Sequence, residues 1–140
     1  MIRSFLNKIS LLFGLSKKSI FSEVDALYKK LPELDCKGLC QECCGPILMT
    51  RLEWWRIQQR TGMSLEKFQQ ETSKDYVCAM LDKSKGACKV YDIRPMVCRI
   101  WGSTPKVKCP FGCQPKRWVE DEEVAELLTE VDKISARNGL

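Results

Sequence analysis

Cys36-Lys-Gly-Leu-Cys40-Gln-Glu-Cys43-Cys44 puts four thiols into one short stretch, and any fold of this chain must accommodate them. In a helix, at 100° per residue, the four sulfurs would lie within an arc of about 100°. Gly38 interrupts a full helix, but a turn of the same sense gathers them too. A single buried cysteine behaves as a small hydrophobe. Four on one face call for a metal ion. A redox reading of Cys40-Gln-Glu-Cys43 lacks the β-α-β surroundings it needs. Cys43 and Cys44, being adjacent, do not comfortably chelate one tetrahedral ion together. They either feed two centres, or one bridges, or one packs.

Five more cysteines follow: Cys78, Cys88, Cys98, Cys109 and Cys113, the last two in Cys109-Pro-Phe-Gly-Cys113. With Pro95 as the first residue of a short helix, Cys98 falls near the end of its first turn, where the positive helix end favours a thiolate. Arg94 and Arg99 would offset the charge of a centre built from several thiolates. Nine is an odd number, and the longest unbroken apolar run, Leu11 to Leu15, spans no membrane and precedes no small-residue cleavage site. The expected compartment is the reducing cytoplasm, where thiolates bind metal rather than pair as disulfides.

The 140 residues contain no histidine, which excludes Ser-His-Asp and Cys-His catalysis, His-Glu-x-x-His zinc helices and two-His-one-carboxylate iron sites. No glycine-rich nucleotide loop occurs. Of the net charge of +5, residues 1–22 carry +4 through Arg3, Lys8, Lys17 and Lys18, so the remainder is close to neutral. Each zinc held by four thiolates adds a net charge of about −2. A nucleic-acid footprint is therefore not expected. Lys106, Lys108, Lys116 and Arg117, with Phe111 and Trp118, read as solvated loop charge around Cys109 and Cys113.

Periodicity divides the chain into an N-terminal basic amphipathic arm (1–32), a cysteine-cluster domain (33–118) and a C-terminal amphipathic helix packed on it (119–140). Ile2, Phe5, Leu6, Ile9, Leu12 and Phe13 share a helical face, and residues 2–18 could make a weak membrane or protein contact. A second helix runs from Ser22 to about Lys30 with Val24, Leu27 and Tyr28 inward. Thr50 and Glu53 form a capping box for a helix carrying Leu52, Trp55 and Ile57 and ending at Gly62. Ser64 starts another, burying Leu65 and Phe68. Residues 77–81 and 87–91 flank the Lys83-Ser84-Lys85-Gly86 turn as a hairpin. Val124, Leu127, Leu128, Val131 and Ile134 make the stripe of the last helix. The fold expected is a small α-rich (α+β) domain of short helices, one hairpin and irregular cysteine-bearing loops, knit by metal. Residues 74–118, with few apolar periods, are expected to have no core without it.

Two blocks, Cys36-x3-Cys40-x2-Cys43-Cys44 and Cys88-Lys-Val-Tyr91-Asp-Ile-Arg94-Pro95-Met-Val-Cys98-Arg99 with Cys78 between them, resemble the YkgJ-like cysteine-cluster family. That family is described as chelating zinc or iron and carries a Cys-x-x-Cys-x-x-Cys-Cys signature; here the first gap holds three residues. The resemblance covers roughly residues 33–114 and implies that Cys36, Cys40, Cys43, Cys44, Cys78, Cys88 and Cys98 bind the metal. Cys109 and Cys113 join the set by spacing. The alternative is an iron–sulfur protein with a redox or methyl-transfer-related role. Larger relatives, flagellin lysine N-methylases, are linked to such a cluster, but this chain lacks the length in which they would hold substrate. Cys36-x3-Cys40-x2-Cys43 also has the spacing of the radical S-adenosylmethionine motif, without room for the barrel that accompanies it. Neither half offers a self-contained site, so at least one metal is expected to take ligands from both residues 36–44 and residues 78–113.

Overall fold

A computed structural model describes residues 20–140 except 37, 39, 40 and 42. The arm helix and the contact expected of residues 2–18 fall outside the described residues, as does Cys40. The described chain is a small α+β domain of five α-helices and a two-stranded antiparallel hairpin. Helix α1 covers residues 20–28, and α2 is Arg51–Thr61. Next come α3 (Leu65–Asp75), the strands β1 (Leu81–Asp82) and β2 (Ala87–Cys88), a 3-10 turn (Tyr91–Ile93), α4 (Met96–Ile100) and α5 (Asp121–Arg137). Among the described residues no helix is long and apolar enough to cross a membrane.

Local signals set most boundaries. The capping box of α2 is complete: the Glu53 amide donates to Thr50 Oγ1 (3.2 Å), and the Thr50 amide donates to Glu53 Oε2 (2.9 Å). Gly62 ends the helix at φ 67°, a conformation that costs a glycine nothing. Ser64 caps α3 through the Lys67 amide. The hairpin turn is held by the Asp82 carboxylate, which accepts from the Ser84 and Lys85 amides. Its paired strands are shorter than predicted, with Leu81 opposite Cys88 and Asp82 opposite Ala87, because the chain beyond Val90 winds into the 3-10 turn.

Two apolar clusters share α2. The first joins Val24, Leu27 and Tyr28 of α1 to Leu52 of α2, Met96 and Ile100 of α4, and Leu127, Val131 and Ile134 of α5. The second joins Trp54 and Ile57 of α2 to Phe68, Met80, Val90 and Ile93. Burying each such aliphatic side chain contributes about 1.5–3 kcal/mol. Residues 74–118 therefore do supply core of their own, contrary to the reading of a coreless middle: Met80, Leu81, Val90, Ile93, Met96 and Ile100 are all buried. Their spacing follows a turn, a hairpin and two one-turn helices, so no single period displays it.

Three faces differ from their sequence reading. Trp54 rather than Trp55 enters the core; Trp55 is half-buried and packs on Phe21. Leu65 (40% exposed) and Leu128 (39% exposed) lie outside the stripes assigned to them. Both helices bury a narrower arc than their apolar pattern offers, and in α5 Ser135 takes the inward place beside Ile134. The Ser135 hydroxyl accepts from the Leu52 amide (3.2 Å) and donates to the Leu140 carbonyl (3.0 Å), tying the start of α2 to the C-terminus.

The loop that leaves α4 turns on Gly102, at φ 83°, where an added Cβ would stand 2.7 Å from Leu34 Cδ2. Leu34 bridges to Pro115 at the root of the first cysteine loop. Gly102→Ala is expected to cost about 1–3 kcal/mol through left-handed strain and overpacking. A denaturant midpoint equal to that of the parent would contradict this close approach.

Candidate metal centre

The loop of residues 33–46 is clamped at both ends. The Lys116 amide donates to the Glu33 carbonyl (3.1 Å), and the Cys78 amide donates to the Cys44 carbonyl (2.7 Å). The second bond lays the Cys43-Cys44 corner against the segment entering the hairpin. Cys78 and Cys88 pack on the second apolar cluster, and the Lys89 amide reaches the Met80 carbonyl (2.8 Å), keeping the two arms together. Cys98 comes in on α4. That helix begins at Met96, with Pro95 as N-cap, one residue later than predicted. Pro95 lends it no side-chain cap; instead the Met96 amide donates to Glu53 Oε1 (2.7 Å) from across the molecule.

These elements enclose a cavity of about 460 Å³ lined by Cys36, Cys43, Cys44, Cys78, Cys88, Cys98 and Cys109. Cys36 is exposed at its edge. Cys113, by contrast, is buried and does not line the cavity. Cys78 and Cys98 both feel neighbouring sulfurs. Burial pushes the Cys98 thiol up to about 12, and neighbouring Cys78, Cys43 and Cys88 add to the shift, while Arg94 opposes it. Burial likewise raises Cys78, with Cys88 and Cys43 contributing. At Cys98 desolvation and the other sulfurs thus act against the helix end and Arg94.

This donor set fits a thiophilic cation. Thiols lining one cavity would be mutually tolerable as thiolates with a divalent ion or an iron–sulfur core among them, and binding would displace their protons. As placed, the described residues hold no group of three or more ligating side chains tight enough to grip an ion.

The basic residues divide by role. Arg99 is tied to the fold: its Nε donates to the Arg94 carbonyl and its Nη2 to the Asp92 carbonyl (both 2.9 Å), and its guanidinium lies 4.1 Å over the Tyr28 ring. Arg94 lines the cavity, stacks 3.8 Å over Tyr91, and keeps a buried Nε with no hydrogen-bond partner. Lys106, Lys116 and Arg117 form ion pairs with Asp121, Glu33 and Glu123, and Lys108 lies over Trp118. Sequence reasoning missed Leu34, Tyr91 and Trp101 as cavity residues. Nothing in their local pattern separates them from ordinary core or surface positions.

A small α+β module with seven of its described cysteines lining one cavity, and no histidine in the chain, has the make-up of a cysteine-based chelating domain. Residues 35–125 match the model of the CxxCxxCC family, described as a "putative zinc- or iron-chelating domain", and the chain belongs to that family. Comparison with curated proteins and with solved structures found no match.

Proposed function

We propose that this protein binds zinc or iron through a centre formed by Cys43, Cys78, Cys88 and Cys98. The observation that carries this reading is the convergence of those four thiols, drawn from both halves of the chain, on one cavity. On this reading Cys44 supplies the backbone carbonyl that fastens Cys78, which resolves the adjacent pair: Cys43 gives its sulfur and Cys44 its main chain. Closing the four sulfurs on an ion stabilises the hairpin and the 33–46 loop against the helical core. In the zinc form the centre is a structural or sequestering site, because four thiolates leave no open position for substrate.

A second reading is favoured by the further thiols on the same cavity wall, Cys36, Cys44 and Cys109. They exceed what one tetrahedral ion uses, and a volume of about 460 Å³ accommodates an iron–sulfur cluster with a redox role. Purification without oxygen, followed by metal analysis and a visible spectrum of the same sample, separates the two. Zinc predicts one or more equivalents of a colourless metal; the cluster predicts iron with sulfide and broad visible absorption. Protein that stays folded and metal-free, with these thiols all open to alkylation after exposure to both metals, would overturn the proposal.

A further inference from the structure

Among the described residues, Arg94 Nε is the one buried side-chain nitrogen or oxygen with no hydrogen-bond partner. A charged N–H shut away from water without an acceptor is costly, and native folds seldom keep one without a reason. The side chain is held firmly where it is. Arg94 precedes Pro95 and is extended (φ −58°, ψ 146°), its carbonyl is taken by Arg99 Nε, and its guanidinium carbon lies 3.8 Å from the centre of the Tyr91 ring. It lines the cavity that holds Cys43, Cys78, Cys88 and Cys98, and it is the cation that acts on Cys98. Among the described residues no acceptor meets it, and the cavity that Arg94 lines is the one that holds the cysteine sulfurs. Arg99, five residues on, has its Nε and Nη2 committed to carbonyls.

We infer that the Arg94 Nε–H donates a hydrogen bond to a metal-bound thiolate of this centre, that of Cys98 first, and thereby positions and tunes the ligand. This rests on the metal-binding reading above. A thiolate coordinated with three others carries excess negative charge, and a charge-assisted N–H···S bond withdraws part of it. The sulfur then becomes a weaker electron donor to the metal and a poorer nucleophile toward outside reagents. Arg94 touches neither substrate nor metal; it is a positioning residue.

Cobalt(II), loaded under argon into the full chain, is the probe, because sulfur-to-cobalt charge transfer reports the electron density on the ligands. Arg94→Met should weaken cobalt binding by roughly 10- to 100-fold. It should also move the charge-transfer band to longer wavelength and speed alkylation of the metal-bound cysteines. Arg94→Lys keeps a cation near Tyr91 without a donor at the Nε position; its band should move the same way, with affinity partly restored. A band unmoved in Arg94→Met overturns the inference, whether or not affinity falls, since a purely structural role would lower affinity alone. If Arg94→Met does not fold, an unmoved band in Arg94→Lys overturns it equally. Parent protein that takes up no cobalt, zinc or iron removes the metal-binding reading itself, which is a different result from a parent that binds and a variant that matches it.

Discussion

Glu53→Ala should lose roughly 3–5 kcal/mol of unfolding free energy, a large part of what a domain of this size possesses. Glu53 is only 4% exposed, yet its carboxylate is satisfied on both oxygens. Oε1 accepts from the Tyr28 hydroxyl (2.9 Å) and the Met96 amide (2.7 Å), and Oε2 from the Thr50 amide (2.9 Å) and hydroxyl (3.1 Å). One side chain thus joins α1, the cap of α2 and the start of α4. Its removal leaves buried donors orphaned, each costing about 1–3 kcal/mol. Glu53→Gln keeps one acceptor oxygen and should lose about half as much. Tyr28→Phe, which deletes a single bond, should lose about 1 kcal/mol. Denaturant unfolding of the three variants in one metal state tests the ranking; Glu53→Ala within about 0.5 kcal/mol of the parent would sink it.

The burial of Tyr28 beside Glu53 sets an alkaline limit. Burial, then the nearby Glu53 charge and its hydrogen bond, raise the Tyr28 phenol well above its ordinary value of 10.0. The folded state therefore holds the phenolic proton more tightly than the unfolded chain. That contribution is complete below pH 10 and is lost as pH rises beyond it. Tyr28→Phe should flatten this part of the stability profile.

Glu53 also marks how far the sequence could be read. Its capping box with Thr50 is a local pattern, spaced three residues apart, and was legible from the order of residues alone. Its bonds to Tyr28 and Met96 join positions 25 and 43 residues away, and no spacing rule reaches them. Helices α1 and α5 were legible for the same local reason: a 3.6-residue period with an acidic start for α5 and Pro32 after α1. Leu65 and Leu128 were misplaced because an apolar residue at the edge of a stripe has the same period whether or not a neighbour covers it. The cysteine centre divides the same way. Clustering and residue type pointed to metal, whereas the separation of Cys109, on the cavity wall, from Cys113, off it, depends on which loop lies against which.

Cys98→Ser is expected to release the metal that Cys43 helps to hold, although the two residues lie in different halves of the chain. In a four-thiolate centre, zinc binding contributes on the order of 10 kcal/mol, so losing one ligand costs roughly 3 kcal/mol, about two orders of magnitude in affinity. The loss spreads further here, because the centre closes the long loop between the 33–46 segment and α4, and an open loop regains the freedom that closure removed. Cys43 and Cys78 should then alkylate at the rate of accessible thiols, and metal content should fall by one equivalent under limiting free metal. Cys113→Ser supplies the control: Cys113 is buried but stands off the cavity, so its replacement should leave metal content unchanged. The first helical cluster rests on α5 packing directly on α2 and α4 rather than on the cysteines, so far-ultraviolet circular dichroism of Cys98→Ser should stay near that of the parent. Retention of a full complement of metal with Cys40 and Cys43 protected would mean that the two halves of the chain hold their metals separately, and the shared centre would have to be abandoned.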